Sequence, residues 1–139
     1  MLLRPKLTKY KKYHKGRICL KPINTSKRTQ LLNGSYGIKV LEAGRITPKH
    51  LETVRRFIKR VVKRSGKLWI NIFPHLPVTA KPNENRMGKG KGKVEYYTCL
   101  VKPGDVIVEL AGVNNKISLK ILESSIKKLP VICQIIKVI

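Results

Sequence analysis

The chain has 139 residues, with 31 lysines and arginines against 7 aspartates and glutamates, so its formal net charge is +24. A small soluble domain usually carries a charge of about 2–8 in magnitude, and such an excess repels itself unless a polyanion, most readily nucleic acid, neutralises it and releases counterions. The length suits one domain, the 42% of hydrophobic residues argue against wholesale disorder, and no apolar run approaches the roughly 18–20 residues of a membrane span.

Residues 1–34 are predicted to form a basic extended arm. No acid occurs before Glu42, and Met1–Leu3 runs straight into charge, so no signal peptide is expected. Such an arm either orders on nucleic acid or stays a solvated tail. Tyr10 and Tyr13 stand among lysines, where they can stack on exposed bases or simply dock on the domain.

The folded domain is predicted to span residues 35–139 and to begin with a strand at Ser35–Leu41. A helix then starts with Thr47 as its N-cap and Pro48 at its first position, and Gly66 is expected to close it. An apolar stripe at helical spacing marks the face directed to the core: Leu51, Val54, Ile58, Val61 and Val62.

The polar face of this helix is strongly basic, with no acid among its cations: Arg55, Arg56, Lys59, Arg60, Lys63 and Arg64. Like charges at i,i+4 destabilise a helix. We therefore expect an external anion on this face, although a solvated face is the simpler alternative.

The second half of the chain is predicted to contain four further strands and one helix. A strand at Leu68–Phe73 is followed by a proline-rich segment, so residues 74–93 are expected to form one loop, either functional or disordered. The other elements are strands at Glu95–Val101 and Val106–Leu110 joined as a hairpin through Pro103–Asp105, a helix at Asn115–Lys128 with Ile117, Ile121, Leu122, Ile126 and Leu129 inward, and a strand at Val131–Val138. This order predicts an α+β fold, with two helices on one face of a mainly antiparallel sheet.

The run Arg86–Lys93 alternates cations with glycines and contains no acid. Glycine permits positive φ and a thin backbone, so the lysines between can follow an irregular phosphate surface. A solvated loop is the alternative. The run precedes a strand rather than a helix, so it lacks the context of a nucleotide-binding P-loop.

Patterns for catalysis and metal binding are missing from the sequence. The acids are scattered singly, which leaves no visible carboxylate pair for acid–base chemistry. Cys19, Cys99 and Cys133 are far apart and distant from the three histidines, so inert thiols are expected rather than a metal site or a disulfide scaffold. We predict a protein that is not an enzyme and holds no cofactor or metal.

Several segments resemble one known family. Arg86-Met-Gly-Lys-Gly-Lys-Gly, the following Val94–Tyr97, and the preceding Gly66–Pro74 and Pro77–Thr79 are similar to the bacterial-type large-subunit ribosomal protein sixteen, as are Gly44–Thr47, the Arg55-Arg56 pair and the opening Arg4–Arg17. The chain departs from that family in having Tyr97 where tryptophan is usual, and in residues 18–33, which are longer and less recognisable.

The resemblance implies a structural component of the large ribosomal subunit that joins late in assembly. It implies contact with large-subunit rRNA near the A-site tRNA and the approach to the peptidyl transferase centre, beside other large-subunit proteins. Charge and resemblance together give these candidate rRNA contacts: Arg4, Lys6, Lys9, Lys11, Lys12, His14, Lys15, Arg17, Arg45, Arg55, Arg56, Lys59, Arg60, Lys63, Arg64, Lys67, Lys81, Arg86, Met87, Gly88, Lys89, Gly90, Lys91, Gly92 and Lys93. Arg86, Lys89 and Lys91 are the candidates closest to tRNA.

Two other functions compete with a ribosomal role. A free-standing regulator would place the basic helix in a major groove, but the pattern of a helix-turn-helix or dimer interface is missing. An enzyme acting on nucleic acid would need acids or metal ligands that the sequence does not cluster. The many isoleucines, lysines and asparagines suggest an AT-rich genome, so an organelle, a mitochondrion before a plastid, is the predicted compartment of the ribosome, with the bacterial cytoplasm as the alternative.

Overall fold

The computed structural model describes residues 4–14, 16, 18 and 26–138. The described residues form these elements in chain order: α1 Ser26–Thr29, β1 Tyr36–Val40, β2 Gly44–Ile46, α2 Pro48–Val62, β3 Lys67–Ile70, β4 Leu76–Ala80, β5 Lys93–Val101, β6 Val106–Ala111, α3 Asn115–Ile126 and β7 Cys133–Lys137. The two long helices and the antiparallel strands confirm the predicted α+β class.

The strands form two sheets rather than the single sheet that was predicted. One sheet has the order β3-β6-β1-β7 and the other the order β2-β5-β4, and neighbouring strands are antiparallel throughout. The predicted hairpin of β5 and β6 is therefore wrong. The turn between them is held by the end of β1 instead, where Val40 donates to Asp105 O at 2.9 Å and accepts from Gly104 N at 2.8 Å, so the chain passes from one sheet to the other.

The loop predicted over residues 74–93 is shorter than expected, because Leu76–Ala80 forms strand β4 beside β5. Pro77 lies within this strand, opposite Tyr97. A proline cannot donate to a strand ladder, but β4 is at the edge of its sheet, where that loss is tolerated. Within the predicted range, the residues without regular structure are therefore 74–75 and 81–92.

Helix α2 starts as predicted and ends differently. Thr47 has an extended backbone before Pro48, and the ring of His50 returns to Thr47, with Nδ1 3.1 Å from the hydroxyl oxygen. At the other end Lys63 leaves the helix with a φ of 52°, so Gly66 does not close it. Gly66 is needed for packing, because a Cβ there would lie 2.5 Å from a Val113 methyl group.

The core lies between the two long helices and the sheets. Helix α2 buries Leu51, Val54, Ile58 and Val62 against β5 and α3, and α3 packs on β1 and β7. Two residues predicted to face inward, Val61 and Ile117, are 45% and 48% exposed. In α3 the buried positions include Ser118 and Ser125, whose hydroxyls donate to backbone carbonyls and so allow close packing.

Candidate nucleic-acid interface

The glycine- and lysine-rich loop stands at the surface. Residues 81–91 are all exposed, Met87 completely so. Gly88, Lys89 and Gly90 adopt φ values of 105°, 53° and 82°, a region that glycine enters readily and other residues avoid. The expectation that glycines here supply positive φ is confirmed at Gly88 and Gly90.

The base of this loop is narrow. A Cβ on Gly92 would overlap the carbonyl oxygen of Ala80, so only glycine permits this approach of the two backbones. Lys81 donates through Nζ to the carbonyl of Gly88, which folds the tip back towards its own base. These contacts give the loop a defined form while leaving Lys89 free to meet a ligand.

The arm and the loop contact each other. Lys12 Nζ donates to the carbonyl of Lys91 at 2.7 Å, and Lys91 Nζ donates in return to the carbonyl of Tyr13. Among the described residues both lysines bind only backbone carbonyls, which carry no full negative charge, so each keeps its charge without a neutralising partner there. The arm and loop therefore present their cations as one continuous surface, which we call the arm–loop surface (residues 4–14 and 81–93).

An open groove continues this surface towards helix α2. It lies between the arm, the first turn of α2 and the start of β5, and encloses about 1380 Å³. Arg4, Lys6, Lys11 and Lys49 line it, together with Tyr96. Three of these cations were predicted contacts, and the structure brings them to one place.

The basic face of α2 contains an acid that the sequence interpretation overlooked. Glu52 binds Arg55 through two hydrogen bonds, of 2.6 and 2.9 Å, and Arg56 Nε through a third of 2.9 Å. The hydrogen bond from Arg55 lowers the pKa of Glu52 to about 2 against its partial burial, and Arg56 adds to the effect. The prediction that these cations lack a partner is wrong for both arginines.

The outer face of α2 is exposed and basic. Arg56, whose Nε binds Glu52, and Arg60, four residues later, both lie opposite the buried side of the helix, and the exposed Lys63 follows where the chain leaves the helix. Lys59 is partly engaged, since its Nζ lies 3.4 Å from Gly66 O. Arg64 and Lys67 are exposed beyond the end of the helix, about 20 Å from its start for a helix of this length.

Other predicted contacts differ in exposure. Lys9, over the ring of Tyr10, and His14 are exposed on the arm. Arg45 is only half-exposed, and its Nε is buried with no hydrogen-bond acceptor among the described residues, so it is poorly placed for a phosphate. Lys15 and Arg17 lie outside the described residues.

The root of the arm is anchored to the domain by a buried acid, Glu109 of β6. Its side chain is 0% exposed, and Oε2 accepts from the backbone amides of Leu32, Asn33 and Gly34 at 3.2, 2.7 and 2.8 Å. Oε1 accepts from Asn71 Nδ2 at 2.5 Å. Burial raises the pKa of Glu109, but these hydrogen bonds together hold it below its ordinary value.

The described cysteines have no visible chemical role. Burial raises the pKa of Cys99 and of Cys133 to about 11, so both thiols stay protonated at neutral pH. Cys19 lies outside the described residues. Within residues 4–14 and 26–138 no three histidines, cysteines or acids gather as metal ligands do, and no helix there is long and apolar enough to span a bilayer.

Sequence reasoning missed Lys49 and Tyr96 at the groove, and Glu109 at the root of the arm. Lys49 belongs to the first turn of α2, and Tyr96 is 42% exposed where a strand residue of its type is often buried. Glu109 has no signal in its own segment, because its partners lie 75 to 77 positions earlier in the chain. A basic residue in a first helical turn, where a cation is unfavourable, was the available clue for Lys49.

Comparison with known proteins identifies the family of the chain. The model of the family described as ribosomal protein L16p/L10e matches residues 5–136. Proteins named large ribosomal subunit protein uL16 are similar over 97% of this chain: 46% identical in Maricaulis maris, over 96% of that protein, and 47% identical in Sphingopyxis alaskensis, over 92% of it. That of Cereibacter sphaeroides is 46% identical over 96% of its length. The chain therefore belongs to the ribosomal protein L16p/L10e family.

Proposed function

We propose that the protein is a structural component of the large ribosomal subunit, held there by large-subunit rRNA and by neighbouring ribosomal proteins. The observation that carries this proposal is the arm–loop surface, in which lysines bound to carbonyls keep their charge, in a member of this family. Phosphate is the partner that such unneutralised cations favour. The names of the bacterial relatives support the same role.

Co-sedimentation through a sucrose gradient tests this proposal. We expect the tagged protein in the large-subunit fraction, and not with small subunits or free at the top. A regulator or an enzyme acting on nucleic acid would remain outside that fraction. Its absence from large subunits in cells that express it would contradict the proposal.

The salt dependence of rRNA binding tests whether the basic face of α2 contacts phosphates. The logarithm of the affinity falls against that of the salt concentration with a slope of roughly −0.9 for each phosphate neutralised on duplexes. Lys59→Gln and Lys63→Gln should each reduce the slope by about one unit. Lys120→Gln, which removes the same charge from exposed α3, should not. Equal slopes for all three would mean that the face of α2 is merely solvated.

The loop tip is the part that we propose to lie near A-site tRNA and the peptidyl transferase region. The predicted candidates Arg86, Lys89 and Lys91 are all exposed on a loop whose base is narrow, although Lys91 Nζ also donates to the carbonyl of Tyr13. An arginine can both stack and donate in a plane, which lysine cannot do. Arg86→Lys should leave incorporation intact, yet weaken A-site tRNA binding or slow peptide-bond formation on reconstituted subunits. If A-site tRNA affinity and the rate of peptide-bond formation both keep their wild-type values, the loop only holds the protein on the rRNA.

We assign the protein a positioning role and no catalytic step of its own. The compartment is a separate proposal: the isoleucine-, lysine- and asparagine-rich composition favours an organellar ribosome, whereas the relatives named above are bacterial and favour the bacterial cytoplasm. Fractionation of the source cells, with the protein followed by antibody, decides between the two.

A further inference from the structure

The groove beside helix α2 combines positive charge with exposed aromatic surface. Four cations line it, Arg4, Lys6, Lys11 and Lys49, and among its described lining residues Glu95 is the only acid. Tyr96 is 42% exposed at the groove. A solvated basic face needs no aromatic ring, so the ring indicates a ligand with a flat apolar surface as well as negative charge.

The strand that carries this ring is irregular at the groove. Tyr96 pairs with Val78 and Val94 pairs with Thr79, which leaves Glu95 as an extra residue in β5. A bulge of this kind redirects side chains and is common beside functional sites. It accounts for the way in which consecutive residues of β5, rather than alternate ones, line the groove.

The size of the groove indicates a polymer rather than a small molecule. Its volume of about 1380 Å³ exceeds the roughly 300–1,000 Å³ of ordinary ligand pockets, and it is open along one side. A base within a duplex is stacked on both faces and offers no surface to a tyrosine. A nucleotide of single-stranded RNA offers both a free base face and a phosphate, and aromatic stacking combined with cations is how proteins bind it.

We propose that this groove binds single-stranded RNA, with one base stacked on Tyr96 and the adjoining phosphates bound by Lys6, Lys11 and Lys49. The inference rests on the proposed RNA-binding function and deepens it, because it assigns one segment of the surface to an unpaired nucleotide. The remainder of the arm–loop surface and the face of α2 contact phosphates irrespective of base pairing.

The test separates the contribution of base stacking to the affinity from the contribution of phosphate binding. The full chain is titrated with a fluorescent adenosine oligomer and with an abasic oligomer of equal length and charge. Stacking one base should make the adenosine oligomer bind roughly ten-fold more tightly. Tyr96→Leu should abolish this preference, and Tyr96→Phe should keep it. Phe73→Leu, which removes an aromatic ring of similar exposure (40%) outside the groove, should keep it as well.

Three results would overturn the inference: equal affinity of the wild type for the two oligomers, a preference that survives in Tyr96→Leu, or tighter competition by an acidic peptide of equal charge. If the wild type also fails to co-sediment with large subunits, the proposed function falls together with the groove. If it co-sediments normally, the groove alone is rejected. Circular dichroism of Tyr96→Leu shows that a lost preference is not lost folding.

Discussion

Glu109 allows the sharpest prediction about how the basic arm is joined to the domain. Glu109→Ala removes the acceptor of three backbone amides and of Asn71 in a site with no solvent exposure. The amide of Gly34 is itself buried, whereas Leu32 and Asn33 are exposed residues whose amides can recover water. The free energy of unfolding should therefore fall by less than the summed contributions of the four hydrogen bonds.

The magnitude follows from the orphaned donors. Each buried donor left without a partner costs about 1–3 kcal/mol, and the vacated side-chain volume adds a smaller penalty. We expect Glu109→Ala to lower the free energy of unfolding by about 2–4 kcal/mol. Glu109→Gln should cost less, since the amide of Asn71 can rotate and accept from the new amide group while one oxygen still faces the backbone donors.

Urea unfolding and amide hydrogen exchange measure the two consequences. Stability should fall in Glu109→Ala, and protection of the amides of residues 32–34 should fall further than that of β1. Glu123→Ala is the matched control, because it removes the same charge from an exposed site on α3. Equal stability of the two variants, or unchanged protection at residues 32–34, would refute the role given to Glu109.

The pH dependence of this anchor has a definite sign. The pKa of Glu109 is lowered in the folded protein from an ordinary value of 4.5. Its contribution is therefore complete above that value and is lost as the pH falls through the folded pKa. Acid titration of the wild type should show this loss, and Glu109→Gln should lack it. An identical acid limb in both proteins would contradict the assignment.

Three further predictions concern the interface. The loss of RNA-binding free energy in the double variant Lys12→Ala/Lys91→Ala should differ by at least about 0.5 kcal/mol from the sum of the two single losses, because the two side chains join the arm to the loop. Additive losses would show that the arm and the loop bind RNA independently. Gly92→Ala should weaken RNA binding by disturbing the base of the loop, whereas Gly16→Ala, where a Cβ meets open space, should not; equal effects would reject the close-packing argument. Glu52→Gln should steepen the salt dependence of RNA binding, because it weakens the pairing of Arg55 and Arg56 with this side chain. Since the pKa of Glu52 is about 2, lowering the pH to 4 should not have the same effect. An unchanged slope would mean that this pairing does not compete with RNA.

The sequence predicted the helices and strands themselves better than it predicted which strands pair with one another. Thr47 and Pro48 start α2 through local chemistry, so that boundary could be predicted. The pairing of β5 with β2 and β4, and of β6 with β1 and β3, depends on contacts distant in the chain, and a short turn looked like a hairpin for that reason. Pro77 was misjudged because its effect depends on whether the strand is at an edge, which only the sheet order shows.

At the candidate interface, composition predicted that the partner is nucleic acid, but it did not predict how the basic residues are arranged in space. Net charge and the Arg86–Lys93 run indicated phosphate, but they did not show that Lys12 and Lys91 join arm to loop. The partnership of Glu52 with Arg55 was available from its i,i+3 spacing, and was missed because Glu52 was not counted with the basic face. The anchor at Glu109 was beyond sequence reasoning, because its partners are backbone amides.

Lysine footprinting on purified ribosomes is the most direct test of whether the arm–loop surface contacts large-subunit rRNA. Large subunits that carry the protein are isolated by gradient and treated with an acetylating reagent, and the modified lysines are compared with those of the free protein. We expect Lys12, Lys89 and Lys91 in the arm–loop surface to be protected, and Lys120 on exposed α3 to be modified equally in both states. The protein's absence from the large-subunit fraction, or full modification of the arm–loop lysines within it, would contradict the proposed role of this surface.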